Sequence, residues 1–198
     1  MAGACAAIGF VGFILLFVIG VGFIAVAHNR RMQAQWVEYA SARGMQLSGH
    51  FPMIQLAGAL HGVGVSMVTH RHVRHSRRGR RVSYTHELIA TPRMHLGDLA
   101  ISREGFFASV GKVFGGQDIQ TGNHAFDRAF VIKSQNEHAA RLVLTPAVMH
   151  ALLTAQSRLA DVFVEAGGVR VIHQGTASPA TLDAQLDTLA RVAVTFGT

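Results

Sequence analysis

The chain has 198 residues, 49% of them apolar and only 15% charged, with a mean hydropathy of +0.29. That apolar content excludes a disordered chain, 21 glycines without a period exclude collagen, and a single cysteine excludes a disulfide scaffold. The formal charge is +7, yet six arginines lie between His70 and Arg81, and without those six it falls to +1. The basic character is one segment on a near-neutral chain, so nucleic acid is not an expected partner.

Ala6 to Ala27 is a run of 22 residues without a charge. At about 1.5 Å per helical residue it is long enough to cross a hydrocarbon core of about 30 Å. The pattern predicts a transmembrane anchor over residues 1–27. No second run of this kind exists, which excludes a multi-pass transporter. His28, Arg30 and Arg31 follow the run at once, while its other side offers only the terminal amine. Positive flanks stay in the cytoplasm, so the expected arrangement is a single pass through the inner (plasma) membrane, N-terminus out, domain in the cytoplasm. The rival reading is a cleaved signal peptide, with Ala25-Val26-Ala27 as the small-x-small site. The missing basic n-region, the length of the run and the two arginines just after it weigh against cleavage. Cys5 precedes the run, so it does not fit a lipoprotein signal.

Residues 28–44 predict a juxtamembrane helix. Met32, Trp36, Tyr39 and Ala40 fall on one face, and Gly44 can end it. Trp36 is expected to pack on the domain rather than in an interfacial aromatic belt. Residues 45–198 predict one α+β domain with a mainly antiparallel sheet and packed helices. Ile54–Leu60, Val63–Thr69 and Val82–Thr91 are apolar, strand-like runs, the last closed by Pro92. The basic segment between the latter two predicts a long hairpin with Arg77, Arg78, Gly79 and Arg80 near its tip. Leu99–Ser102 and Phe106–Val110 predict a second hairpin, and Ala129–Lys133 one more strand. Thr145-Pro146 and Ser178-Pro179 are cap-plus-proline helix starts. Leu182, Leu186, Leu189, Ala193 and Phe196 form one buried stripe on the last helix. Between the two helices, Val162–Glu165 and Val169–His173 flank Gly167-Gly168, a hairpin signal.

Thr121 to Ile132 contains Phe126-Asp127-x-x-Phe130-x-Ile132, and Ala140-Arg141-x-x-Leu144-Thr145-Pro146 follows. These residues resemble a bacterial family of membrane-anchored proteins with a domain of unknown function, marked by F-[DE]-x-x-F-x-V and then A-R-x-x-L-T-P. The resemblance covers residues 121–146; elsewhere it extends only to layout. It implies a membrane-associated bacterial protein and supplies no activity. Other members often carry an acid near the position of Asn123, which this chain lacks. Read physically, the same segment is a corner: Phe126 and Phe130 can share a core face, and Asp127 can cap or pair with Arg128 or Arg141.

P-loop, H-E-x-x-H, G-x-S-x-G and G-x-G-x-x-G patterns are missing from the sequence. No cofactor is expected. His70, His72 and His75 have a spacing that two imidazoles on one strand face could use for a metal. The arginines around them oppose a divalent cation, so no metal site is expected. The function expected is that of a binding or scaffolding module. Its basic hairpin (Arg71, Arg74, Arg77, Arg78, Arg80 and Arg81) contacts anionic lipid or an acidic partner protein. The alternative is a membrane-tethered hydrolase or transferase using Asp127 and His124, with Glu87 or His86. That alternative requires these side chains to converge in one pocket.

Overall fold

The computed structural model of the protein describes residues 2–76, 79–103, 117–159, 161–165, 167–175 and 177–197, with side chains from Leu16 onward. The chain begins with one helix, α1 (Ala2–Ala42). The two segments read from sequence as anchor and juxtamembrane helix are continuous in it, because no Gly or Pro lies between Phe23 and Arg43 to break the hydrogen-bond ladder. The helix stops where Gly44 takes a φ of +63°, a left-handed position natural to glycine. Trp36 is fully buried and Ala40 nearly so, which makes this end of α1 part of the core.

Among the described residues nine strands form one sheet, and every pairing in it is antiparallel. They are β1 (Gln46–His50), β2 (Met53–Leu60), β3 (Val63–Ser76), β4 (Gly79–Thr91), β5 (Ala100–Ser102), β6 (Gln117–Asp118), β7 (Val131–Ser134), β8 (Val162–Glu165) and β9 (Gly168–Gln174). The order across the sheet is β1-β2-β3-β4-β9-β8-β5-β7-β6. The α+β class and the antiparallel sheet are as expected from sequence. β1 was not legible: four of its five residues are exposed, so it carries no apolar alternation. Both edges of β5 are taken, by β7 and β8. Its expected hairpin partner, 106–110, lies outside the described residues.

Register explains the core. Leu56, Met67, Leu88, Val171 and Val162 are successive partners across five strands, and all are buried. Val65, Ala90, Val169, Val164, Ile101 and Ile132 form a second rung across six. Each fully buried Leu, Ile or Val side chain contributes about 1.5–3 kcal/mol relative to exposure. Gly168 begins β9 at a φ of +134°, where a Cβ would run into the Ala90 carbonyl, so no other residue fits there.

Among the described residues four further helices follow α1: α2 (His124–Ala129), α3 (Glu137–Val143), α4 (Pro146–Arg158) and α5 (Pro179–Thr195). Thr145 and Ser178 cap α4 and α5 as expected, each followed by proline. Asn123 and Asn136 cap α2 and α3, which are too short to show a periodic face in the sequence. α5 packs on β3, β4 and β9 and buries Leu182, Leu186, Leu189 and Ala193, with Phe196 buried just beyond its end. Its polar side fastens the N-terminal elements. Asp183 accepts from the Tyr39 hydroxyl at 2.8 Å and pairs with Arg43 at 2.7 Å. Asp187 lies 2.7 Å from His61 in the β2–β3 turn. Burial first, then the bond to Asp183, raises the pKa of the Tyr39 phenol well above its ordinary value.

This packing sets an expectation for two neighbouring residues of α1. Trp36→Ala costs about 3–5 kcal/mol, as expected for emptying a filled core site. Val37→Ala, at a position 51% exposed, stays within about 0.5 kcal/mol. Urea unfolding of the full chain in a nonionic detergent measures both. Equal effects would mean that α1 is not part of the folded core.

Candidate functional site

The basic segment forms an arm. β3 and β4 stay in register from Gly64↔Thr91 to Ser76↔Gly79, although their neighbours end much earlier. The last β2 pair on β3 is Gln55↔Val68, and the last β9 pair on β4 is Gln174↔Thr85. Beyond these, His72–Ser76 and Gly79–Ser83 project as a two-stranded ribbon of about 15 Å. Arg74, Arg80 and Arg81 lie on it and Arg71 at its base, and all four are exposed; Arg77 and Arg78 lie outside the described residues. Among the described residues, none of those four arginines makes an ion pair.

The side chains of a strand alternate, so the arm has two faces. The face continuing the core carries the pairs Arg71↔Tyr84, Val73↔Val82 and His75↔Arg80. The opposite face carries His70↔Thr85, His72↔Ser83 and Arg74↔Arg81. On that second face His72, Arg74, Arg81, Ser83, Thr85 and Gln174 line a half-open groove of about 480 Å³. His72 Nε2 and Thr85 Oγ1 are 2.8 Å apart. Nearer the domain, Glu87 binds Arg170 at 2.9 Å and His70 at 3.1 Å, and Arg170 reaches Glu165 at 3.6 Å. His70 and His72 are thus both engaged with protein groups, and no cluster among the described residues could hold a metal ion.

The arm and the free part of α1 leave the domain at the same end. The β1–β2 turn marks that end: the Phe51 N–H donates to Gln33 Oε1 at 2.7 Å, and its ring lies 6.3 Å from His28. From there α1 continues toward its N-terminus, and the ribbon continues past the same level. The described apolar side chains of that part of α1 are uncovered, among them Leu16, Phe17, Phe23 and Ile24 at 64–75% exposure. Among the described residues, no helix is long and apolar enough to cross a membrane. Residues 6–15 of the expected spanning run lie outside the residues whose side chains are described.

The alternative set of Asp127, His124, Glu87 and His86 is not brought together. Asp127 accepts from the Thr121 N–H, the Thr121 hydroxyl and the Gly122 N–H at 3.0, 2.7 and 3.1 Å. Desolvation works against its charge, but those three donors prevail and hold the carboxyl below the usual range. Of the two roles expected for Asp127, capping or pairing with Arg128 or Arg141, the structure shows backbone N–H groups of the preceding turn bound by its carboxylate, and no ion pair to either arginine among the described residues. Phe126 and Phe130 are buried with ring centroids 4.9 Å apart, as expected of a corner. Glu87 and His86 sit on β4, four strand positions from β7, roughly 19 Å away at about 4.8 Å per strand.

His86 instead closes the base of the arm. It is buried, with Thr69 Oγ1 3.0 Å from Nδ1 and the Gly175 carbonyl 3.1 Å from Nε2, and it faces His173 across the β4–β9 pair. Burial, the largest influence, lowers its pKa; the Gly175 carbonyl opposes this and His173 adds to it. The folded protein takes up this proton at a lower pH than the unfolded chain, which does so below about pH 6.5. This contribution to stability is full above that pH and declines as pH falls through it. Thermal unfolding scanned from about pH 7.5 to about pH 5.5 gives a falling Tm, and His86→Gln makes the fall shallower. An unchanged slope in the variant would assign the acid sensitivity elsewhere.

No protein-family model matches the chain. No curated protein sequence matches it either. Among solved structures, the crystal structure of the mycobacterial trehalose monomycolate transport factor A, TtfA, is similar at 13% identity and a TM-score of 0.44, over 83% of this chain and 93% of that one. A likeness of that size carries no argument about function, and the site stands on its own geometry.

Proposed function

We propose that the chain is a single-pass membrane protein, N-terminus out, whose cytoplasmic domain is a binding or scaffolding module with its arginine arm resting on the anionic leaflet beside the anchor. The observation that carries this reading is the shared exit of the uncovered apolar helix and the unpaired arginines from one end of the domain. The uncharged run from Ala6 to Ala27, followed by Arg30 and Arg31, supports the spanning direction.

Magnitudes support it as well. Each arginine near an anionic surface is worth about 1 kcal/mol, so the four described ones offer about 4 kcal/mol at low salt. That is weak for a free protein. For a tethered arm the local concentration of lipid is already at the millimolar level or above, so the same attraction suffices.

Two measurements on the full chain test the reading. After expression in bacteria, the chain stays with the membrane pellet through alkaline carbonate extraction; release into the supernatant would overturn the anchor. A Cys5→Ser chain labelled with an environment-sensitive fluorophore at Val82→Cys is then placed in lipid nanodiscs. Its emission shifts to the blue in discs containing phosphatidylglycerol but not in pure phosphatidylcholine discs, and salt at about 0.5 M reverses the shift. The same emission in both discs would overturn the lipid contact and leave the arginines to an acidic partner.

A further inference from the structure

The two faces of the arm hold their arginines differently. On the face that continues the core, Val73 and Val82 separate Arg71 from Arg80, so those two cations stand apart. On the other face Arg74 and Arg81 are direct cross-strand partners, with Cβ atoms about 4.5–5.5 Å apart. Like charges in that position repel and destabilise the pair unless an anion lies between them. The other described residues lining the groove (His72, Ser83, Thr85 and Gln174) are polar side chains able to donate a hydrogen bond, and no carboxylate is among the described lining residues. Glu87, the acid nearest along this face, is already bound to Arg170 and His70.

We infer that this groove is a binding site for a phosphate group carried as a monoester. A monoester phosphate carries a charge of about −1.5 to −2 and three terminal acceptor oxygens. Two opposed guanidinium groups match that charge and can each offer a forked pair of donors. Ser83, two residues from Arg81 on the same face, supplies a neutral donor at the inner end of the groove. A diester carries one charge and only two free oxygens, so it fills the site less well. The inference deepens the lipid-contact reading and rests on it for the source of the phosphate, which is a lipid headgroup such as that of phosphatidic acid. A free phosphorylated molecule presents the same chemistry.

The test uses the full chain with two double variants of equal charge, Arg74→Gln/Arg81→Gln in the groove and Arg71→Gln/Arg80→Gln on the opposite face. Calorimetric titration with inorganic phosphate in neutral micelles, at constant ionic strength, shows saturable binding. The groove variant weakens it about tenfold or more, and the opposite-face variant changes it less than about twofold. In nanodiscs of matched surface charge, the Val82→Cys probe then responds more strongly to phosphatidic acid than to phosphatidylglycerol, and only the groove variant loses that preference. Phosphate binding that the groove variant loses, with a probe that answers to neither anionic lipid, would support the site, assign it to a soluble phosphorylated molecule and overturn the lipid contact. No saturable phosphate binding, or equal loss in both variants, would overturn the site. Equal responses to both anionic lipids would then leave only a diffuse electrostatic contact.

Discussion

Six residue pairs, from Thr85↔Gln174 to Ala90↔Val169, join β4 to β9 and make one sheet out of two local assemblies. On one side lie β1 to β4, which are successive in sequence and neighbours in the sheet; on the other lie β9, β8, β5, β7 and β6. Small isolated hairpins are marginal in water because they bury too little apolar surface. The join lets Met67, Leu88 and Val171 stack in one line, so that α5 can cover both halves at once. Closing so long a loop is tolerable because its entropy grows only with the logarithm of length. Gly168 sits in this seam, where a Cβ would run into the Ala90 carbonyl.

β4 serves both the core and the arm, and the rung of Thr69, His86 and His173 is where one gives way to the other. Below it the core face carries the buried pairs Met67↔Leu88 and Val65↔Ala90, covered by α5. Above it, from Arg71↔Tyr84 outward, the side chains are mainly Arg, His and Ser with one apolar pair, Val73↔Val82, and among the described residues no further strand flanks them. A free two-stranded ribbon holds its shape poorly by itself. Here its register is fixed by the pairs inside the sheet, since a slip of one residue would turn Met67 and Leu88 out of the core. The arm therefore presents its arginines in a preset order, which reduces the ordering that binding an anion must impose.

α1 couples this platform to whatever its apolar half enters. The same uninterrupted helix has Trp36 buried in the domain and Phe23 open to its surroundings. Between these positions no Gly or Pro offers a hinge. The orientation of the domain thus follows that of the helix, and the ties from Asp183 to Tyr39 and Arg43 stiffen the junction. In the proposed arrangement a rigid junction holds the arm against the leaflet.

The sequence by itself determined the elements whose signals are local: the uncharged run, the Trp36 face, the long basic hairpin, the Gly167-Gly168 hairpin, and the capped helices at Thr145 and Ser178. It also marked the six clustered arginines and the Phe126–Phe130 corner. β1, α2 and α3 escaped it, because an exposed edge strand and helices of six and seven residues carry no periodic pattern to read. Only the tertiary structure decided that Asp127 belongs to a turn, that Glu87 is bound to Arg170, and that α1 and the arm leave from one end. It alone divided the arginines into an apposed pair and a separated pair. The reason is physical: composition and periodicity report what each residue prefers, whereas register, burial and pairing across distant strands depend on which partner wins each contact once the chain has closed.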